Sequence, residues 1–202
     1  MNEPETRGFP ELKQVPVPPE LGPFATAVRR LQDLAVSVNP DAATWTAATQ
    51  DIEKVCDALE EFQVPDGHAP AGRAPTLPGL GSPLLPPWTL TNYSEDGVTM
   101  EGRFSRYHVG GNMAVHGGVI PLFYDWHFGM IVSAAGRPIS RTAYLHVEYR
   151  AVTPIDKPLS SHGRIERLDG RKAFITATMT DAEGTVLSEA NGLMIKLLAH
   201  QP

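Results

Sequence analysis

Apolar positions recur along this chain with two different periods, and the change of period divides it. Phe24, Val28, Leu31, Ala35 and Val38 follow one another at alternating spacings of four and three, one stripe of an amphipathic helix. Asn39-Pro40 stops that helix, and Asp41 suits the N-cap of a second. There Trp45, Ala48, Ile52, Val55, Leu59 and Phe62 keep the same rhythm until Pro65-Asp66-Gly67. Residues 21–64 therefore read as a helical hairpin with one apolar face on each helix. Neither helix can bury that face alone, so the hairpin is expected to pack on its neighbour, on the rest of the chain or on a second subunit. Residues 65–87 are dense in proline and glycine and read as a linker crossing the surface. Residues 1–20, rich in proline and charge, are expected to be poorly ordered.

From Trp88 the period is two. Residues 88–93 and 98–104 read as paired strands around the turn Ser94-Glu95-Asp96-Gly97. Further β-rich runs cover 141–152, 159–167, 172–180 and 185–197, with turn residues at Asp169-Gly170 and Asp181-Ala182-Glu183-Gly184. Between the second and third runs lies a loop bearing His108, Gly110, Gly111 and Asn112, then a nearly continuous apolar stretch from Gly117 to Ala135, about five helical turns long. Two strands, one long apolar helix and four strands predict an α+β hot-dog fold: an antiparallel sheet wrapped around a central helix, here over residues 88–199.

Asp125 stands in the middle of the apolar stretch. A carboxylate buried there is costly unless it is paired, protonated or in use, which makes it the first candidate for chemistry. His127 is close in sequence but points about 200° away around the helix, so a structural role is expected of it.

Composition narrows the function. The net charge of -6 hides an asymmetry: residues 1–70 hold 5 basic and 12 acidic side chains, and residues 71–202 hold 12 and 11. An acidic chain with only a local basic segment, Arg137 to Lys172, argues against nucleic-acid binding and is compatible with a small phosphorylated ligand. The single cysteine, Cys56, excludes an internal disulfide framework and any cysteine-rich zinc site, and it fits a reducing compartment. The first residues have no apolar core of a secretory signal, and Pro121, Asp125 and His127 interrupt the one run of near membrane-span length. A cytoplasmic protein without membrane insertion is expected. The histidines lack metal-ligand spacing, and there is no GxSxG motif.

The strings VHGGVIPLFYD, RTAYLHVEYR, LDGRKAFIT and LSEANGLMIKL, in this order over about residues 85–198, resemble the hot-dog acyl-CoA thioesterases. The phenylacetate-pathway thioesterases and thioesterase superfamily members 4 and 5 are the most similar types. The resemblance implies that His116 and Gly117 open the central helix, that Asp125 is the base or nucleophile, and that a hydroxyl on the next strand assists. Thr142 is that hydroxyl, with Ser140 as its rival, and Asn112 is a candidate ligand for carbonyl or water. It also implies that Gly118, Trp126 and Tyr124 line the substrate and that Arg171 and Lys172 meet the phosphates of coenzyme A. Coenzyme A would enter only as part of the substrate, with no further cofactor and no metal.

The chemistry can be argued independently. Thioester hydrolysis places negative charge on the carbonyl oxygen, and amides of Gly117 and Gly118 at a helix N-terminus are ready donors for it. Eight residues of helix span about 12 Å, whereas both partners of one carbonyl must lie at about 3 Å. Gly117 of one subunit must then work with Asp125 of another, which predicts a homodimer, or a dimer of dimers, with composite sites. The alternatives are a hot-dog enoyl-CoA hydratase or dehydratase, and a non-catalytic acyl-CoA binding or scaffold protein using the helical hairpin.

Overall fold

The computed structural model describes residues 16–65 and 67–198. Two helices come first, α1 (Leu21–Ala35) and α2 (Ala42–Glu60). Then come β1 (Thr89–Ser94), β2 (Gly97–Gly102), a small hairpin of β3 (Val109–Gly111) and β4 (Ala114–Val115), the central helix α3 (Val119–Ala134), and β5 (Ser140–Tyr149), β6 (Leu159–Asp169), β7 (Lys172–Asp181) and β8 (Val186–Lys196). The large sheet has the order β1-β2-β6-β7-β8-β5, and every pairing in it is antiparallel.

Alternation explains which face holds the helix. Along β7, Ala173, Ile175, Ala177 and Met179 are buried while the residues between them are not. On α3 the buried set is Ile120, Phe123, Tyr124, Trp126, His127, Phe128, Met130, Ile131 and Val132, far more than the one stripe of a surface helix, as befits a helix held inside a curved sheet. Two glycines set how close it comes. A Cβ on Gly163 would meet Ile131 Cδ1 at 2.7 Å, and one on Gly192 would meet the Phe128 ring at 2.6 Å. The helix thus seats two side chains where the strands carry none. The predicted hot-dog arrangement is what the chain adopts.

In the N-terminal part the structure chooses among the arrangements left open. Asp41 caps α2 as read, its side chain accepting from the Thr44 amide at 2.8 Å. The two helices do not form a packed hairpin, however. α1 docks on the body: Arg29 donates to the carbonyls of Leu85 (2.9 Å), Ser82 (2.7 Å) and Pro78 (3.3 Å), and Asp33 accepts from the Tyr107 amide at 2.8 Å. α2 has no buried residue, and Trp45, Ile52, Val55, Leu59 and Phe62 are all exposed.

The proline- and glycine-rich segment is likewise more than a surface linker. Ala74, Leu80 and Pro86 are buried, and Trp88 sits beneath them in the core against Phe104 and Phe123. Arg29 is what holds it, a side chain whose partners lie some fifty residues away and which no local pattern marks. Of the expected disordered N-terminus, residues 1–15 lie outside the described residues. No helix among the described residues is long and apolar enough to cross a membrane.

Candidate active site

On α3 only one residue is exposed, and it is Asp125. The carboxylate expected to be buried stands on the one open side of the helix. One turn further on, a Cβ on Gly129 would meet nothing within 4 Å, so the surface of α3 next to Asp125 is open there too. Exposure removes the desolvation problem that singled Asp125 out. What marks it is its contact instead: the Thr142 hydroxyl donates to Asp125 Oδ1 at 2.6 Å, the length of a bond to a charged acceptor. Thr142 also touches Met194 Sδ at 3.0 Å, which backs its side chain.

Ser140 lies on the same face of β5, but its hydroxyl is spent on the Pro138 carbonyl at 3.0 Å. Between the two hydroxyls, the one that meets the carboxylate is that of Thr142. A Thr142→Ala variant should therefore lose about tenfold in any Asp125-dependent turnover, the worth of one hydrogen bond to a charged group. Ser140→Ala should stay within about twofold. Paired kinetics on the two variants check this, and the reverse order would reassign the hydroxyl.

The turn before α3 is built by His116. Its Nδ1 accepts from the Gly118 amide at 3.0 Å, which leaves the neutral ring's proton on Nε2. The Val119 amide returns to the His116 carbonyl at 2.9 Å. The Gly118 amide is thus already used and is no free donor for a ligand. The Gly117 amide has no acceptor among the described residues and stands exposed at the positive end of α3. The Gly117 carbonyl accepts from the Tyr149 hydroxyl at 2.7 Å. No sequence pattern singles out Tyr149, although it lies within the string RTAYLHVEYR. Strict alternation puts residues 142 and 149 on opposite faces of a strand. A bulge between Thr142 and Tyr144 shifts the pairing by one residue and brings both to the face of α3.

Other candidates are placed away from this pair. Asn112 and Met113 have φ of 48° and 59° and form the two-residue turn between β3 and β4, so hairpin geometry accounts for an asparagine there. Tyr124 is fully buried and its hydroxyl is held by Ser188, with the carbonyl and Oγ both at 2.9 Å; burial pushes its phenol well above the usual range. Trp126 is 8% exposed and packs edge-on against Phe123. Both are core residues in the single chain, because α3 turns all but one stripe inward. His127 is buried too, with Nε2 3.1 Å from the Val98 carbonyl and Nδ1 3.2 Å from Ser161 Oγ, and burial depresses it to about 4.

Arg171 and Lys172 are exposed on the β6–β7 turn, where Arg171 donates to the Lys196 carbonyl at 3.0 Å and Arg137 donates to the Gly170 carbonyl at 3.2 Å. Lys172, Ile195 and Arg141 form a row across three strands, one position along from Thr142 and Met194. Arg137, Arg141, Arg171 and Lys172 therefore gather at the end of the sheet that carries Thr142, whereas Arg150 lies at the far end of β5 and pairs with Glu148 and Glu189. No three of the His, Cys, Asp and Glu residues described converge as metal ligands.

Residues 112–188 match the sequence profile of the thioesterase superfamily. Acyl-coenzyme A thioesterase THEM4 from Rattus norvegicus is 32% identical over 89 residues, 44% of this chain and 38% of that protein. THEM4 from Bos taurus is 30% identical over 84 residues, 41% of this chain and 34% of its own length. The chain therefore aligns with well under half of these relatives. Among solved structures, a thioesterase superfamily protein superposes with a TM-score of 0.74 at 24% identity, covering 87% of this chain and 94% of its own. That coverage exceeds what residues 65–202 would supply, so the likeness reaches into the N-terminal helices. A hypothetical thioesterase from Streptococcus pneumoniae, solved with coenzyme A, gives 0.51 at 17% identity over 54% of this chain and 86% of its own. The PaaI protein of E. coli from the phenylacetic acid degradation operon gives 0.52 at 9% over 55% and 80%. With the sheet, the enclosed helix and the Asp125–Thr142 contact already in view, the match over residues 112–188 shows that this part of the hot-dog domain is similar to the thioesterase superfamily.

Proposed function

We propose that this protein hydrolyses the thioester of a fatty or aryl acyl-CoA to the free acid and coenzyme A. The observation that carries this reading is the Asp125–Thr142 contact, an oriented carboxylate on the one open stripe of an otherwise enclosed helix. Asp125 acts as base on water or as nucleophile on the carbonyl carbon. In the first case its free oxygen takes the proton as the water oxygen bonds to carbon. The Gly117 amide meets the resulting oxyanion, and collapse expels the thiolate of coenzyme A, which is then protonated. Water is the only co-reactant, and neither a metal nor a further cofactor takes part. The cluster of Arg137, Arg141, Arg171 and Lys172 suits the phosphates of coenzyme A. A hydratase reading needs a histidine poised with an acid. It is disfavoured by His116 Nδ1, which is occupied by the Gly118 amide, and by His127, which is enclosed on the far side of α3.

The site is composite in this reading. Val119 to Asp125 alone spans about 9 Å of helix, too far for Gly117 and Asp125 of one chain to share a carbonyl. Among the described strands β5 is a sheet edge, hydrogen-bonded to β8 alone, and its two ends hold the two halves of the site. Antiparallel pairing of β5 with a second copy, Thr142 opposite Tyr149, brings Asp125 of one chain beside Gly117 of the other. The bulge makes this register symmetric: Leu145 faces Val147, and His146 sits on the two-fold axis. In a Cys56→Ser background, His146→Cys should therefore cross-link into disulfide dimers under mild oxidation, whereas Glu148→Cys should not. Equal cross-linking at both positions would overturn the register.

The test of the reaction is thiol release from a panel of short, long and aryl acyl-CoAs. Turnover on any member supports the reading, and the panel names the acyl group. Binding of coenzyme A without any turnover would favour the scaffold alternative, which has the exposed apolar stripe of α2 as its own observation.

A further inference from the structure

The peptide joining Gly117 to Gly118 is held at both of its polar ends. Its carbonyl oxygen accepts from the Tyr149 hydroxyl at 2.7 Å, and its N–H donates to His116 Nδ1 at 3.0 Å. The preceding peptide carries the Gly117 amide, the free donor. Only the Gly117 α-carbon separates the two, and a residue without Cβ leaves that joint loose. The direction of the free N–H therefore depends on how firmly the next peptide plane is fixed. A donor that must stand about 3 Å from a developing oxyanion is effective only if its direction is set beforehand.

Tyr149 is poorly suited to be a stability device. Its side chain is 53% exposed, it belongs to no core cluster, and water competes for both partners of its hydrogen bond. The bond nevertheless joins two distant elements, the end of the edge strand and the turn that opens α3. The same strand presents Thr142 to Asp125, and the bulge at residue 143 brings both side chains to one face. β5 thus orients the carboxylate with one residue and the donor turn with another.

We propose that Tyr149 is a positioning residue for the oxyanion donor, acting through the Gly117–Gly118 peptide without touching the substrate. This inference rests on the thioester-hydrolase reading. In the full-length protein, Tyr149→Phe should lower kcat for acyl-CoA by about ten- to a hundredfold, less than deleting an oxyanion donor outright. KM should stay within about twofold, and the thermal midpoint within about 2 °C. Two inhibitors separate positioning from substrate contact. A trifluoromethyl ketone analogue of acyl-CoA, which presents a tetrahedral oxyanion, should bind more weakly in proportion to the kcat loss. A thioether analogue without the carbonyl should bind unchanged. Hydrogen exchange of the Gly118 amide, followed by NMR, should accelerate in the variant.

Wild-type kcat in Tyr149→Phe, equal weakening of both analogues, or unchanged Gly118 exchange would each overturn the positioning role. Absence of thiol release from wild type on every acyl-CoA would instead remove the hydrolase reading and this inference with it, whatever the variant does.

Discussion

Asp125→Asn should lower kcat for acyl-CoA hydrolysis by about a thousandfold or more, while coenzyme A binding and thermal stability stay close to wild type. The substitution is well matched to the geometry. Asparagine keeps an oxygen that accepts from Thr142, so the 2.6 Å contact and the rotamer it selects survive. What is lost is the charge that takes a proton from water or attacks the carbonyl. Because Asp125 is exposed, the change leaves no buried group unpaired, and the cost that usually confounds such variants is absent. Steady-state thiol release beside coenzyme A titration and thermal unfolding checks all three expectations. Turnover within a few-fold of wild type would take the carboxylate off the reaction path. Loss of stability along with activity would make Asp125 a packing residue of an interface.

The second large effect is on stability. His127 is fully enclosed between α3 and the sheet, and burial holds it neutral, with its pKa lowered from 6.5 to about 4. The hydrogen bond to the Val98 carbonyl opposes that shift, and His162 adds to it. The folded form thus binds its proton later than the unfolded chain as pH falls. Above about pH 6.5 neither form is charged and the stability is intact. Between about 6.5 and 4 the unfolded state gains the proton first, and stability drains away by roughly 3 kcal/mol over the window. Below about 4 this contribution is fully lost. His108, buried between Ser105 and Phe104, is shifted in the same direction by desolvation and adds to the loss. Urea unfolding at a series of pH values measures the slope. His127→Gln, which retains a donor and an acceptor, should flatten it across this window. An unchanged slope in the variant would assign the acid sensitivity to other groups.

Several parts of the site were out of reach of any linear reading, each for a definite reason. Apolar periodicity reports that a helix is enclosed but not which residue faces the gap in its enclosure, so Asp125 reads as buried although it is the exposed one. Ser140 and Thr142 share a face by alternation, and only the level of Asp125 along α3 separates them. Gly117 and Gly118 look equivalent as donors until His116 Nδ1 is seen to occupy one of them. Tyr124 and Trp126 flank Asp125 in sequence, but each lies about 100° around the helix from it, toward the sheet. Asn112 satisfies a turn whose type depends on where two short strands pair. In the N-terminal region the stripes of α1 and α2 left open whether they pack on each other, on the rest of the chain or on a second subunit. Long-range bonds from Arg29 and Asp33 dock α1 alone, and nothing in the spacing of apolar residues announces them.

By itself the sequence determined the elements and their order: two amphipathic helices, an antiparallel sheet, an enclosed helix between its second and third long strands, the cap at Asp41 and the hairpin turns. These follow from side-chain periods and from the few residues that tolerate turn geometry, both local properties. It also brought Asp125, Thr142, His116 and Gly117 forward as candidates. Only the tertiary structure decided which of them meet, that Tyr149 joins them, and that α2 stands apart. One extra residue in β5 carries much of that difference: a bulge reverses the alternation beyond it, and its position is set by the register against β8 rather than by the residues around it.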